Sequence, residues 1–388
     1  MRDSQTLNPG TLMQRAKDST GLGDFGPDHF LEPLTVLTRA MRDEAQLSDA
    51  GIAMQSGRIV NALENRLRRI ALMARHPEIA DQQVKVAAVI VGMPRTGSTM
   101  LHRLLSSSPQ ATATIWWETI FPLPRTPEGG AADVAARKAD AEALVEQLVN
   151  ASAGFEAIHP MNAHAYDEEL PLIEQSFISN IPEAMMYLPS YGEWLLHADQ
   201  TSAYKELIDW LKILQWQSPE RAGRHWILKA PHHLTAVQTV LDTFPEAVIV
   251  MTHRRIDHVM ASYASMVGSL TGGNTDADFR SAQAAHWSQR LRRNLQSLMA
   301  AREGAENRFV DVQYRELLAT PLDHARRIFA AAGLTAGAKD EKVWQGWLGG
   351  NKRDNRPSHT YDLADFGLDA ASLRQEFGFY INAYGLEG

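Results

Sequence analysis

The residues best suited to chemistry lie in the stretch VIVGMPRTGSTMLHRLL, positions 89–105. A β-branched run meets a turn containing Gly92 and Pro94, and a helix is expected from about Gly97, with Ser98 and Thr99 as its next residues. Backbone N–H groups at a helix start have no intrahelical partner, the macrodipole favours negative charge there, and glycine lets the backbone approach a ligand closely. The spacing therefore predicts an oxyanion cradle. Its cation is Arg95, whose planar guanidinium suits bidentate contact with a tetrahedral oxyanion.

Gly92-x4-Gly97-Ser98-Thr99 has the frame of the Walker A loop, but Ser98 stands where a nucleotide triphosphatase keeps its Lys. That Lys neutralises terminal phosphates and the next hydroxyl holds magnesium, so its replacement points to a different phosphoryl-like group. A plain strand–turn–helix with a solvent-facing Arg is the competing reading. Strand, turn, cation and paired hydroxyls all agree against it.

A second anchor follows downstream. AVIVMTHR, positions 247–254, reads as a buried strand ending in Arg254, and the next helix carries Ser262 eight residues later. Ligands of open α/β folds bind beyond the carboxyl ends of the strands, where Arg254 falls, and a Ser two helical turns on can offer its hydroxyl to the same oxyanion.

These positions need a scaffold. From Thr11 to about His76 the apolar residues recur at helical spacing, broken by GLGDFGPD and LSDAG. From Val84 the pattern becomes the short buried strand KVAAVIVGMP, and HWILKAPHHLTAVQTVLDTFP (225–245) adds a strand–helix pair before 247–254. Strands alternating with helices predict an α/β protein with a P-loop-like three-layer fold around a central parallel sheet. Residues 1–82 are expected to form an N-terminal helical extension packed on a core of residues 83–388. Residues 128–154 read as a solvent-facing helix and 269–278 as a polar loop; helical patterns then continue to about Ala332, and the last forty residues read as irregular.

Together, the segment PRTGST and the Arg254/Ser262 pair resemble the sulfotransferases that use 3′-phosphoadenosine 5′-phosphosulfate (PAPS). The resemblance extends to a bacterial branch of that family through GLGDFG near the start, Trp117-Glu118 after the loop helix, Lys229-x-Pro231-x-His233, and the closing TYDLADFGL. It implies that Arg95, Thr96, Gly97, Ser98 and Thr99 bind the 5′-phosphosulfate and that Arg254 and Ser262 bind the 3′-phosphate, with no metal. The better-known cytosolic members carry Lys where Arg95 stands and close the nucleotide site with Gly-x-x-Gly-x-x-Lys, which this tail lacks. Lys352, Arg353 and Arg356 in NKRDNRPSHTY are the candidates for that wall, and a solvated charged turn is the equal alternative.

Sulfuryl transfer needs in-line oxygens and positive charge around the equatorial oxygens, so positioning and electrostatics supply most of the acceleration. Arg95 fits that role, and Lys229, at the end of the strand HWILK, is placed to stabilise the leaving phosphate or the transferring group, with a strand-end surface cation as the alternative. An acceptor alcohol also needs a base. His233 falls where the bacterial branch keeps its His and is preferred to His232, with Glu168 in reserve. Trp116, Phe155, Tyr166, Phe177, Met185, Met186, Tyr187 and Trp194 are candidates for an apolar acceptor pocket, although most would be core in any protein of this size.

Bulk properties narrow the classes further. The net charge of −8 over 388 residues argues against nucleic acid as a partner, because a coat of Lys and Arg is missing. Cysteine is absent, which excludes disulfides and thiolate metal sites and fits a reducing cytoplasm. MRDSQTLNPG carries polar residues where an export signal would be apolar, and no apolar run is long enough to span a bilayer. Gly21-x-Gly23-x-x-Gly26 lacks the preceding strand that a dinucleotide fingerprint requires, and neither His-Glu-x-x-His nor Gly-x-Ser-x-Gly occurs. The expected substrate partner is a small-molecule acceptor; a homo-oligomer is left open. A nucleotide-dependent kinase and a non-catalytic nucleotide-binding module are the rival readings.

Overall fold

A computed structural model gives the fold and describes residues 5–126, 129–151, 161–351 and 362–386. Among these, β1 (Lys85–Gly92), β2 (Ala111–Thr112), β3 (His225–Lys229), β4 (Val248–His253) and β5 (Phe309–Gln313) form one sheet in the order β2-β3-β1-β4-β5. Every pairing is parallel. The sheet is buried on both faces, as the near-continuous apolar strands require. Val89 and Val91 of β1 point into one apolar cluster, with Leu228, Ile249 and Met251; Ala88 and Ile90 point into the other, with Ile227, Val248 and Val250. This alternation is the period-2 geometry of a strand.

The N-terminal segment forms helices Pro9–Thr20, Leu31–Asp43 and Asp49–Arg75. The last starts at Ser48, whose hydroxyl accepts from the Gly51 amide. Leu12, Leu34, Leu63 and Leu67 belong to the same apolar cluster as Val89 and Ile249, so this segment and one sheet face share a core. Buried Arg66 and Arg69 pair with Glu206 on the helix Thr201–Gln217 at 2.5 and 3.0 Å. Arg66 also donates to the Phe25 and Pro27 carbonyls, which ties the GLGDFGPD turn to the same helix pair.

Three expectations change. The expected loop at 269–278 is shorter, because the helix Ile256–Gly272 continues until Thr271, buried and accepting from Gln283 Nε2, anchors its last turn. The pattern read as helical up to Ala332 is interrupted by β5, an edge strand of five residues whose interior carries Asp311 and of which only Phe309 and Val312 are buried. The described part of the tail is helical, at Ala370–Glu376 and Gly378–Tyr384, the first capped by Asp369. Helices of seven residues leave too little periodicity to be seen in sequence.

Candidate active site

Lys229 pairs in register with Ile90, and Gly92 with Thr252, so the carboxyl ends of β3, β1 and β4 emerge side by side. Two strand spacings, about 10 Å, span all three. Lys229, the loop 92–99 and Arg254 therefore share one sheet edge at the point where the chain order reverses about β1.

The loop turns through three positive φ angles, at Gly92 (149°), Arg95 (67°) and Gly97 (86°). A Cβ on Gly92 would stand 2.7 Å from Thr252 Oγ1, and one on Gly97 3.0 Å from the Tyr314 ring, so side chains are excluded at both. Arg95 adopts its left-handed conformation at a cost of order 1–3 kcal/mol, and such strain clusters at functional sites. Thr96 is fully buried; its hydroxyl donates to the Met93 carbonyl at 2.6 Å and accepts from Thr252 Oγ1 at 2.6 Å. Its side chain is thus spent inside the protein, and its amide is what it can offer a ligand. Helix Ser98–Ser106 starts at Gly97, which has no side chain to cap the first-turn amides.

The two anchors meet. Arg95 Nε donates to Ser262 Oγ at 3.0 Å, and Arg254 Nη1 donates to the Arg95 carbonyl at 2.7 Å. The Arg254 guanidinium also lies 4.3 Å over the Tyr314 ring. Arg95 and Arg254 are half-buried and Ser262 nearly buried, an arrangement that can hold two oxyanions close together.

Lys229, also nearly buried, has its Nζ 3.3 Å from Thr99 Oγ1 and 3.3 Å from Glu168 Oε2. The second contact is an ion pair not aligned as a hydrogen bond, since Oε2 has no hydrogen-bond partner among the described residues. Behind it lies a fully buried chain of contacts. Glu169 takes the Lys229 amide on Oε2 at 3.1 Å and the His233 Nε2–H on Oε1 at 2.5 Å, and Tyr204 Oη meets His233 Nδ1 at 2.7 Å. Burial pushes the Glu169 carboxyl up, but His233, the Lys229 amide and His102 together hold it below its ordinary value. Burial, and then the Glu169 charge, pushes the Tyr204 hydroxyl well above its usual range, so it keeps its proton and donates to Nδ1. Both His233 nitrogens are therefore occupied.

His232 is buried with neither ring nitrogen bonded among the described residues, and burial, then His233, pushes it down to about 3. Lys352, Arg353, Arg356 and Phe155 lie outside the described residues. The remaining aromatic candidates do not converge: Phe177 and Met186 are core, Trp116 belongs to a separate cluster, and Tyr187 stacks on Phe279 at 4.9 Å. Sequence reading missed Tyr204, Thr252 and Tyr314, which belong to no motif, and singled out Glu169 only as the neighbour of Glu168 in an acidic pair. Among the described residues no group of His, Cys, Asp and Glu is spaced to hold a metal ion, and no helix is long and apolar enough to cross a membrane.

Residues 88–337 match the model of the sulfotransferase family. Over its length the chain is similar to the crystal structure of sulfotransferase STF1 from Mycobacterium tuberculosis H37Rv, with a TM-score of 0.83, 30% identity, and 97% of this chain and 100% of that chain covered. Sulfotransferase STF9 from Mycobacterium avium shares the fold with a TM-score of 0.86 at 24% identity, covering 98% of this chain and 97% of that one. No curated protein matches. The sheet order, the loop that closes β1 and the family match over most of the chain lead to one assignment: this protein is an enzyme of the sulfotransferase family.

Proposed function

We infer that the protein transfers a sulfuryl group from PAPS to a hydroxyl or amine of a small apolar or aromatic acceptor. The observation that carries this reading is the 3.0 Å contact between Arg95 and Ser262, which brings a helix-start oxyanion cradle against a second cationic anchor. A nucleotide with phosphate groups on both its 5′ and 3′ positions needs two such anchors a ribose apart. The donor set fits: first-turn amides at Gly97–Thr99, two guanidinium groups and three hydroxyls.

In this reading the amides of Thr96, Gly97, Ser98 and Thr99 and the Arg95 guanidinium hold the 5′-phosphosulfate, and Arg254 and Ser262 hold the 3′-phosphate. Bound PAPS supplies an activated sulfuryl group, whose S–O bond to the 5′-phosphate breaks as the acceptor oxygen bonds sulfur. Lys229, beside Thr99, neutralises the charge that collects on the leaving phosphate oxygen. The base is Glu168 rather than His233 or His232: its side chain is partly exposed beside Lys229, whereas both His233 nitrogens are engaged by buried partners. Lys229 Nζ stands 3.3 Å from Oε2 of that carboxylate. Residues 1–82 act as an extension of one catalytic unit, residues 83–388.

The test is titration calorimetry with adenosine 3′,5′-bisphosphate and with ATP–Mg, followed by an acceptor-library screen with PAPS read by mass spectrometry for added sulfate. Tighter binding of the bisphosphate and one sulfated product are expected; tighter ATP–Mg binding overturns the donor.

A further inference from the structure

The buried group behind the reacting pair is unusual in what it connects. Glu169 follows Glu168 in the chain, and the amide it binds is that of Lys229, so one carboxylate ties together the backbones of the two residues whose side chains face each other at 3.3 Å. Its other oxygen is fixed by His233, and His233 by Tyr204 from the helix Thr201–Gln217. Tyr204, His233 and Glu169 are all completely shielded from solvent. A carboxylate desolvated to this degree is a poor source of stability, since a well-packed apolar group of similar volume serves as well or better. What a fully satisfied buried network provides is a unique geometry.

We propose that Tyr204, His233 and Glu169 are positioning residues, a buried brace that sets the separation of the Glu168 carboxylate and the Lys229 ammonium without exchanging a proton with the acceptor. This rests on the assignment of Glu168 and Lys229 as the reacting pair. The proton inventory is closed: Tyr204 O–H donates to Nδ1, Nε2–H donates to Glu169, and the Lys229 N–H donates to the remaining oxygen of Glu169. A strand end and a loop held in this way keep the pair aligned while ligands enter and leave the neighbouring cradle. Misplacement by about 1 Å at a reacting pair can cost about 10²-fold in rate.

The experiment uses the full chain and four variants, Glu169→Gln, His233→Gln, Tyr204→Phe and, as the contrast, Glu168→Gln. Turnover of PAPS with water as acceptor is followed across pH, and affinity for adenosine 3′,5′-bisphosphate is measured alongside. Glu169→Gln and His233→Gln are expected to lose about 10²-fold in kcat, with bisphosphate affinity within twofold of wild type. In His233→Gln the acidic limb of the pH profile stays where it is, and in Glu168→Gln it disappears. Tyr204→Phe removes a single hydroxyl, keeps the fold, and gives an intermediate loss. The proposal is overturned if His233→Gln keeps full kcat, or if it removes the acidic limb while Glu168→Gln retains it. Proton NMR of the ligand-free enzyme supplies a second readout: the 2.5 Å Nε2–H···Oε1 bond should give a strongly downfield signal, lost in Glu169→Gln. Absence of that signal from the wild type sinks the brace; a wild type that shows the signal but turns over no PAPS with water or with any acceptor of the library sinks the assigned reaction instead.

Discussion

Arg95 and Ser262, 167 residues apart in the chain, are joined by a hydrogen bond of 3.0 Å from Nε to Oγ. The contact exists because β1 and β4 are neighbours, so the loop leaving one and the helix following the other start from the same sheet edge. Arg254 adds a second tie by donating to the Arg95 carbonyl, so the arginine that follows β4 also supports the loop that leaves β1.

Arg254→Ala should weaken adenosine 3′,5′-bisphosphate far more than adenosine 5′-phosphate, which lacks the 3′ group. A charge-assisted hydrogen bond is worth about 1.5–3 kcal/mol, so a loss of about 10–100-fold is expected for the bisphosphate. Ser262→Ala should lose about fivefold, the effect of one neutral donor. Calorimetry with both nucleotides checks this, and equal losses for the two would place Arg254 away from the 3′-phosphate.

Lys229→Met removes the ammonium beside Thr99 and Glu168. Loss of one preorganised transition-state donor costs about 10²–10³-fold in kcat. Bisphosphate affinity should change little, because in the proposed mechanism Lys229 meets charge that develops only during transfer. Single-turnover measurement separates the two effects; a variant that loses affinity but keeps its single-turnover rate would make Lys229 a ground-state ligand.

Gly92→Ala should be more damaging than its size suggests. The added methyl meets Thr252 Oγ1 at 2.7 Å and the Thr252 carbonyl at 2.9 Å, and the φ of 149° is unfavourable for any side chain. Strain and overpacking of this kind cost about 1–3 kcal/mol each. A lowered melting temperature together with lost nucleotide binding is expected, since β1 and β4 are forced apart where the two anchors arise. Unchanged melting would show that the strands have room to separate.

Stability should fall on mild acidification. Burial holds His232 down to about 3 and His102 down to about 4, the latter also opposed by the Lys229 charge. Unfolding returns both rings to their ordinary value of 6.5, so below that pH the unfolded chain binds more protons and stability declines towards the folded-state values. At pH 5 each ring accounts for about 2 kcal/mol relative to neutral pH. Denaturant titrations at pH 7 and pH 5 should give a smaller drop in His232→Leu than in wild type. Parallel drops would mean that His232 is hydrated in solution.

Much of the site was legible in the linear chain. Gly92, Arg95, Gly97, Ser98 and Thr99 lie within eight residues, and the strand–turn–helix that presents them is a local structure fixed by β-branched residues, a turn and a helix start. Arg254 and Ser262 were visible for the same reason, as a strand end and a helix face eight residues apart. Short or edge elements escaped notice: β2 has two residues, and β5 alternates too weakly to stand out.

By itself, then, the sequence determined the individual anchors, because backbone conformation over a few residues depends on local sterics and hydrogen bonding. Which anchors face each other was decided only by the tertiary structure, through a parallel sheet whose strand order is β2-β3-β1-β4-β5. That order sets Arg95 against Ser262 and Lys229 against Glu168, and it buries His233 between Tyr204 and Glu169. His233, a candidate base in the sequence, thus stands as a buried side chain whose Nδ1 meets Tyr204 and whose Nε2 meets Glu169, contacts set by residues 29 and 64 positions away in the chain.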